Sequence, residues 1–360
     1  MIPVQPHVAV MSPYALADTT VPDGIAPVML AQNESLRPPA PGVMKAVRKI
    51  LSGAELYPDP EWTLLRDALS HFHGIEKDRI LCGSGSLDLI TAVARTFSGP
   101  GRAVLAPVHA YPFFRTSAAM SGARFDTAPE TRSGVSVSNL LQSVRPDTGI
   151  VFVANPGNPT GTRISSDALR RLRAGLRPDI LLVVDEAYAE FNDHLGERFW
   201  DMTDAGNCIV LRSFSKAYGL AGLRVGWGYF PGELANHVRK VLNPNNLALT
   251  AQAAAVAALE DREYMRQTCA QTAEIANLWA GKLQSAGFNA VPGCTNFLLL
   301  RFDDAAEAIE ADNALKKAGI FLRRQNAASL PQVLRWTIAQ EPCMQAAFDA
   351  LIRWQEGERA

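Results

Sequence analysis

The sequence predicts an α/β fold, and three observations support this prediction. Short apolar runs rich in Val, Ile and Leu alternate with helical patterns from about residue 45 to residue 240. These runs lack polar–apolar alternation, so they fit strands that are buried on both faces. Alternation of such strands with helices is typical of βαβ units and a mostly parallel sheet. The chain of 360 residues is also long enough for a second, smaller unit.

The strands of the large unit are predicted in chain order. They are RILCG (79–83), RAVLAP (102–107), GIVFVANP (149–156), DILLVVDEAY (179–188), NCIVLRSFS (207–215) and RVGWGYF (224–230). A helix is predicted from Ser86 to Phe97, directly after the first of them.

The pattern changes after Pro244. Residues 248–286 are Ala-rich and predict helix, because they contain good helix formers and few breakers. A strand at 296–302, a helix at 304–318, and strands IFLRR (320–324) and VLRWTI (333–338) follow. We therefore expect an N-terminal arm (1–44), a large α/β domain (45–245) and a small C-terminal α+β domain (246–360).

Composition excludes several classes of function. The net charge of −1 gives no indication of a nucleic-acid surface or a polybasic membrane patch. The five cysteines form no C-x-x-C pair, and their odd number argues against a disulfide framework. The first residues lack a basic segment before an apolar one, and no apolar run is long enough to span a bilayer. We expect a cytoplasmic protein without a metal site.

Four polar clusters follow predicted strands. They are GSGSLD (83–88), NPGNPTG (155–161), DEAY (185–188) and SFSK (213–216). Ligands of open α/β sheets bind beyond the carboxyl ends of the strands, so these clusters are expected to meet at one edge.

Each cluster alone has an ordinary explanation. GSGSLD lacks the third glycine of a dinucleotide fingerprint, and a tight turn with a serine helix cap would account for it. Asp185 after a strand and Lys216 after another are common placements. Together, however, the clusters fit one ligand that has a phosphate, a ring nitrogen, a phenolic oxygen and an aldehyde. Pyridoxal 5′-phosphate has these four groups.

The whole set of motifs resembles the fold-type-I pyridoxal-phosphate aminotransferases and, among them, the histidinol-phosphate aminotransferase family. The resemblance extends over nearly the whole chain. It is carried by YPDP (57–60), GSGSLDLI (83–90), NPGNPTG, VVDEAY, SFSKAYGLAGLRVGW and VLRWTI, in the order and approximate spacing of the family.

The resemblance implies roles for five residues around the cofactor ring. Lys216 would form the covalent link to the aldehyde and later carry a proton as general base and acid. Asp185 would face the ring nitrogen. Tyr188 and Asn158 would bind the phenolic oxygen, and Tyr111 would stack on the ring.

The resemblance also implies a phosphate site and a dimer. The phosphate donors would be the backbone amides of Gly85, Ser86 and Leu87, the hydroxyls of Ser213 and Ser215, and the guanidinium of Arg224. Tyr57 would reach the cofactor phosphate of a neighbouring subunit, so we expect a homodimer with shared active sites.

Substrate residues are implied in the same way. Arg335 matches the arginine that binds the substrate carboxylate, and Arg323 matches one that binds a substrate phosphate. Tyr14 and Asn33 of the N-terminal arm are expected to contact the substrate. The arm departs from the family pattern, because NESLRPPAPG (33–42) replaces the usual N-E-N-P element.

The predicted activity is transfer of an amino group between a phosphorylated or aromatic amino substrate, with histidinol phosphate as the first choice, and 2-oxoglutarate. A broad-specificity or aromatic aminotransferase and a pyridoxal-phosphate-dependent phospho-amino-acid decarboxylase remain open, because the cofactor residues serve the ring in all of them. A transcription regulator with an aminotransferase-like half would carry an N-terminal helix-turn-helix domain. A plain nucleotide-binding protein would carry the G-x-G-x-x-G fingerprint, which is absent.

Overall fold

The computed structural model describes residues 2–13, 24–131, 134–195 and 198–357. Its helices are α1 (Pro6–Ala9), α2 (Pro41–Ile50), α3 (Thr63–His73), α4 (Ser86–Phe97), α5 (Pro112–Met120), α6 (Val137–Gln142), α7 (Ser166–Gly175), α8 (Trp200–Asp204), α9 (Gly232–Arg239), α10 (Leu249–Glu260), α11 (Arg262–Ser285), α12 (Ala305–Lys317) and α13 (Glu341–Glu356). Short 3₁₀ turns lie at Leu51–Gly53, Lys77–Arg79, Ala189–Leu195, Ala221–Leu223 and Asn326–Ala328.

The strands are β1 (Val28–Met29), β2 (Ile80–Ser84), β3 (Ala103–Pro107), β4 (Phe125–Ala128), β5 (Thr148–Ala154), β6 (Leu181–Asp185), β7 (Cys208–Ser213), β8 (Val225–Tyr229), β9 (Asn289–Pro292), β10 (Phe297–Arg301), β11 (Ile320–Phe321), β12 (Arg323–Gln325) and β13 (Leu330–Thr337). Seven of them form the central sheet in the order β2-β8-β7-β6-β5-β3-β4. Only β8 runs antiparallel to its neighbours in this sheet, so the prediction of a mostly parallel α/β sheet is confirmed.

The central strands are buried on both faces, as their continuous apolar runs predict. Ile150 and Phe152 of β5 join one core, whereas Val151 and Val153 join a second core on the opposite face. This division follows from the two-residue period of a strand, which sends successive side chains to opposite sides of the sheet. Helices cover both faces, and α10 packs against the first core.

A four-stranded antiparallel sheet of order β12-β13-β10-β9 forms the smaller unit. Its core contains Trp279, Trp336 and Trp354. The long helix α11 joins the two units, because Met265 belongs to the core of the large sheet and Ala276 to that of the small one. The domain limits at residues 44 and 245 remain a prediction.

Two local predictions need correction. The helical stretch 248–286 is divided at Asp261, whose side chain accepts a hydrogen bond from the Tyr264 amide and starts a new helix. The segment IFLRR is two strands in two sheets. Residues 320–321 pair in parallel with β1 of the N-terminal arm, and residues 323–325 pair with β13. The arm therefore contributes a strand to the small unit.

The helix predicted from Ser86 to Phe97 is confirmed in both bounds. Gly85 precedes it as the N-cap residue and has a φ of +79°. A left-handed residue at this point is accessible to glycine at little energetic cost, and it turns the chain sharply from β2 into α4. In the described parts of the chain, no helix is long and apolar enough to cross a membrane.

Candidate active site

A cavity of about 1270 Å³ lies at the carboxyl ends of the parallel strands. The sequence-predicted residues that line it are Asn33, Ser86, Leu87, Tyr111, Asn158, Asp185, Tyr188, Ser213, Ser215, Lys216, Arg224, Arg323 and Arg335. Asp185 ends β6 and Ser213 ends β7, so adjacent parallel strands deliver them to the same edge.

Lys216 projects into the cavity from the turn after β7. Its Nζ donates hydrogen bonds to the backbone oxygens of Gln32 and Asn33, at 3.0 and 2.9 Å. Burial of the amine, together with the charges of Arg335 and Arg224, lowers the pKa of Lys216 to about 7. At neutral pH this amine therefore exists in both its charged and its neutral form, and the neutral form can act as a base or nucleophile.

Asp185 presents a buried carboxyl group to the same cavity. Only 5 % of the residue is exposed, and burial raises the pKa of Asp185 to about 7. The Ala187 amide donates to Oδ1 at 3.1 Å and opposes this effect, whereas the neighbouring charge of Glu186 adds to it. A cation beside the carboxyl group would favour its ionised form.

Glu186, the second acidic residue of DEAY, is engaged elsewhere. Its Oε2 accepts a hydrogen bond from Arg212 Nε at 2.9 Å, and both side chains are buried. Arg212 also pairs with Glu190 at 3.3 Å. Because this ion pair occupies Glu186, Asp185 is the acidic residue of the motif that faces the cavity.

Tyr188 and Asn158 are each held by a residue far away in the chain. Asn33 Nδ2 donates to the Tyr188 hydroxyl at 2.7 Å. Arg335 Nη1 donates to Asn158 Oδ1 at 2.6 Å, and Nη2 of the same arginine donates to the Ala31 carbonyl at 2.8 Å. Of the predicted phenol-binding pair, Asn158 is thus bonded to the predicted carboxylate-binding arginine, and Tyr188 to Asn33 of the N-terminal arm.

The predicted phosphate residues surround the start of α4. Arg224 Nη1 donates to Ser215 Oγ at 3.3 Å, and the Ser215 amide donates to Ser213 Oγ at 3.1 Å. A β-carbon on Gly85 would collide with the Arg224 guanidinium. The first amides of α4, two serine hydroxyls and one guanidinium therefore lie close together, which is a favourable arrangement for a phosphate.

Gly226 of β8 explains how this arrangement is kept compact. A β-carbon on Gly226 would collide with the backbone amide nitrogen of Ser86. Glycine at this position therefore allows β8 to approach the first turn of α4. Leu87 stands one residue further into the helix and lines the cavity, whereas Gly85 is not among the lining residues.

Tyr111 is half-buried at the start of α5 and lines the cavity. Its ring packs edge-on against Phe114, with 5.8 Å between ring centroids. The phenyl ring of Phe114 stacks in turn on Phe152 of the central sheet, at 4.6 Å. This aromatic chain connects the cavity wall to the core and fixes the loop that carries Tyr111.

Two strands of the small unit close the cavity. Arg323 of β12 lies directly opposite Arg335 of β13 in the antiparallel register. Residues so paired have β-carbons about 4.5–5.5 Å apart, so the two guanidinium groups can approach one anion. Arg335 is 8 % exposed, Arg323 and Arg324 are half-buried, and all three line the cavity.

The predicted residue Tyr57 is not brought to the cavity of this chain. Tyr57 lies between the turn Leu51–Gly53 and α3 and is 87 % exposed. It is absent from the cavity lining within this chain. Tyr14 falls outside the described residues.

Sequence reasoning missed the network around Asn33. Its backbone amide donates to Thr337 Oγ1 at 2.9 Å, Thr337 Oγ1 donates to Asn33 Oδ1 at 3.2 Å, and Asn296 Nδ2 donates to the Asn33 carbonyl at 3.0 Å. Asn33 is fully buried with a φ of +54°. No local pattern reveals Thr337 and Asn296 as partners, because 304 and 263 positions separate them from Asn33.

This geometry defines the class of protein: a two-unit α/β protein in which a lysine, a buried aspartate and the predicted phosphate donors at the start of α4 line one cavity. The sequence profile of the family described as "Aminotransferase class I and II" matches residues 26–351. The chain belongs to this family.

Relatives and solved structures agree with that membership. The chain is 37 % identical over 335 residues to histidinol-phosphate aminotransferase from Ruegeria pomeroyi, covering 93 % of each chain. It is 37 % identical over 361 residues to the protein of that name from Rhodospirillum centenum, covering 98 % of each.

Among solved structures, histidinol-phosphate aminotransferase from Sinorhizobium meliloti in complex with pyridoxal 5′-phosphate superposes with a TM-score of 0.91, at 28 % identity and with 98 % of each chain covered. Aspartate aminotransferase from Thermus thermophilus with maleate superposes with a TM-score of 0.84, at 19 % identity and with 98 % and 100 % covered. The second likeness shows the shared fold.

Proposed function

We propose that this aminotransferase uses pyridoxal 5′-phosphate to move an amino group between histidinol phosphate and 2-oxoglutarate, as a step of histidine biosynthesis. The observation that carries the substrate assignment is the facing pair Arg323 and Arg335 at the cavity. The names of the relatives from Ruegeria and Rhodospirillum support the same substrate. The cofactor of the Sinorhizobium structure supports the choice of pyridoxal phosphate.

The residues present fit this cofactor. Gly85 and Gly226 let the Arg224 guanidinium and β8 approach the first turn of α4, because a β-carbon at either position would collide with these groups. The guanidinium and the first amides of α4 could therefore bind one phosphate together. Asp185 would hold the proton of the ring nitrogen, and Tyr188 and Asn158 would bind the phenolic oxygen. Tyr111 would pack on one face of the ring.

Lys216 performs the proton transfer in this proposal. Bound pyridoxal phosphate would supply the covalent link to the substrate nitrogen and a ring that takes up the electrons of the substrate Cα–H bond. Lys216 in its neutral form would remove the Cα proton and return it to the C4′ carbon of the cofactor. A pKa of about 7 suits both halves of this task, since a general acid–base group works best near the operating pH.

The substrate chemistry explains why two arginines face each other. In histidinol phosphate, the carbon that carries the amino group bears a phosphorylated hydroxymethyl group, where an amino acid bears its carboxylate. Glutamate, the amino donor for the reverse half-reaction, carries a carboxylate there. Arg335 suits the carboxylate as a planar fork, and Arg323 adds a second positive charge for the larger phosphate dianion.

The active enzyme is a homodimer with shared active sites in this proposal. Tyr57 is exposed, and so are the nearby apolar side chains Leu51, Leu56 and Leu64. Exposed apolar side chains of this number in one region are typical of a surface that a partner covers. Sedimentation at micromolar concentration should give twice the chain mass of 39.0 kDa, and a fully active monomer would contradict the shared site.

The substrate test compares histidinol phosphate with phenylalanine, in the presence and absence of 2-oxoglutarate. Arg323→Ala should lower kcat/KM for histidinol phosphate roughly 30- to 150-fold, which corresponds to a loss of about 2–3 kcal/mol of transition-state stabilisation. It should change kcat/KM for phenylalanine little. The matched control is Arg301→Ala, which removes an exposed arginine from neighbouring strand β10.

Three results would contradict the proposal. Equal losses for both substrates in Arg323→Ala would favour a broad-specificity or aromatic aminotransferase. Absence of turnover with histidinol phosphate in the wild type would remove the substrate assignment. Carbon dioxide release without any need for 2-oxoglutarate would indicate a decarboxylase.

A further inference from the structure

We infer that His109 is a positioning residue, which holds the tip of the β12–β13 hairpin against the cavity and thereby sets the preference for a phosphorylated substrate. The inference rests on the function proposed above. His109 lies in the loop between β3 and α5, two residues before Tyr111. The hairpin tip, residues 326–329, belongs to the small unit. One hydrogen bond between them therefore joins a loop of the large unit to the hairpin of the small unit.

The loop of His109 is held by the central sheet. The Val108 amide donates to the Ala128 carbonyl at 2.9 Å, and the His109 amide donates to Glu130 Oε1 at 3.0 Å. The Ala110 amide closes a turn on the Pro107 carbonyl at 3.1 Å. Three consecutive backbone amides are thus satisfied, so the imidazole projects from a rigid base.

The imidazole reaches the hairpin tip directly. His109 Nδ1 lies 2.8 Å from the carbonyl oxygen of Ala328. Because a carbonyl oxygen only accepts, Nδ1 must carry the hydrogen and donate it. Nδ1 can carry a hydrogen in both the neutral and the cationic imidazole, so this bond does not depend on a change of charge at His109.

The other hydrogen bonds of the hairpin tip do not reach the large unit in the described ranges of the chain. The Ser329 amide donates to the Asn326 carbonyl at 3.0 Å, and Arg324 Nη2 donates to Asn326 Oδ1 at 3.5 Å. Both bonds stay inside the hairpin. Within the ranges that the structure describes, the bond from His109 is the one hydrogen bond that joins residues 326–329 to the loops of the central sheet.

A displacement of the hairpin tip would also displace the side chains of Arg323 and Arg324. Arg323 and Arg324 belong to β12, which is the edge strand of its sheet and pairs with β13. The register of this pair shifts between Arg324 and Gln325, so the ladder near the tip is irregular. Gln325 and Ala327 line the cavity as well. An irregular edge strand depends on contacts outside the ladder to fix its side chains.

Loss of the His109 bond is expected to affect phosphorylated substrates more than unphosphorylated ones. Lys216, Asp185 and the predicted phosphate donors at the start of α4 stand at the edge of the central sheet, and the hairpin does not carry them. Arg323 and Arg324 stand on the hairpin, and small displacements of binding groups lower rates strongly. Loss of the His109 bond should therefore weaken the use of a substrate that needs these arginines and change little for one that does not.

The test uses the holoenzyme with histidinol phosphate and histidinol, which differ only in the phosphate group. His109→Ala should lower kcat/KM for histidinol phosphate about five- to tenfold and for histidinol less than about twofold. His109→Asn places an amide Nδ2 near the position of the imidazole Nδ1. It should restore the wild-type ratio between the two substrates to within about twofold.

The outcomes are distinct. Equal losses for both substrates, or a ratio that His109→Asn does not restore, would show a merely structural role and overturn the inference. If His109→Ala does not fold, His109→Leu keeps most of the bulk without a donor and serves the same comparison. If the wild-type enzyme does not turn over histidinol phosphate, the proposed function itself is refuted, independently of every His109 variant.

Discussion

Replacement of Asp185 by asparagine should make the cofactor-free protein more stable while it nearly abolishes the activity of the holoenzyme. The carboxyl group is buried, and its pKa is raised from the ordinary 3.8 to about 7. Asparagine has almost the same shape and can keep the bond from the Ala187 amide. The substitution removes the free-energy cost of burying an ionisable carboxyl group away from water.

The sign and size follow from proton linkage. Between pH 3.8 and about 7 the folded protein keeps a proton on Asp185 that the unfolded chain has lost. Stability therefore falls as the pH rises through this interval and levels off above it. A shift of about three units corresponds to about 4 kcal/mol at 1.36 kcal/mol per unit. Asp185→Asn should accordingly be about 2–4 kcal/mol more stable at pH 8 and nearly equal to the wild type at pH 4.

The assay is urea denaturation of both cofactor-free proteins at pH 4, 6 and 8. Asp349→Asn is the matched control, because Asp349 is exposed on α13 and accepts one hydrogen bond from Gln345. It should change stability by less than about 0.5 kcal/mol at each pH. With pyridoxal phosphate added, turnover of Asp185→Asn should fall about 100-fold or more, because a neutral amide does not hold the ring nitrogen protonated.

Two results would refute this reasoning. A variant that is less stable than the wild type at pH 8 would show that Asp185 makes stabilising contacts in its charged form. A stability difference that does not change between pH 4 and pH 8 would show that the carboxyl group does not titrate in that interval. Near-normal turnover would separately remove Asp185 as the partner of the ring nitrogen.

Two further predictions concern the cofactor itself. Borohydride reduction followed by peptide mapping should find the pyridoxyl group on Lys216, and Lys216→Ala should lose all transamination while circular dichroism stays unchanged; a label on another lysine would contradict the site. Arg224→Ala should release pyridoxal phosphate during dialysis, because it removes a charge-assisted contact of about 1.5–3 kcal/mol, or roughly 10- to 150-fold in affinity; undiminished affinity would exclude Arg224 from the phosphate site.

The part of the site that stands on the central sheet could be predicted from the sequence. Asp185, Ser213 and Lys216 follow apolar runs that form adjacent parallel strands, and parallel strands end at a common edge. The helix start at Gly85 was predictable for a similar reason, since a glycine-rich turn separates a strand from a helical pattern. These inferences need only the period of a segment and its neighbours in the chain.

The other part depends on long-range contacts that no local pattern contains. Asn33 reaches Tyr188 across 155 positions, and Arg335 reaches Asn158 across 177. The split of residues 320–324 between two sheets depends on β1 of the N-terminal arm, which is only two residues long. A pair of strands this short carries almost no propensity signal, because strand prediction requires a run of several residues.

The charges of the site connect these two parts. Arg335 and Arg224 both lower the pKa of Lys216, although one stands on the small unit and the other beside the central sheet. A phosphate paired with Arg224 would offset one of these effects and raise the pKa of the amine. A carboxylate or phosphate of the substrate paired with Arg335 would offset the other. The basicity of Lys216 should therefore rise when the substrate anion binds, so the small unit influences proton transfer through charge as well as through substrate binding.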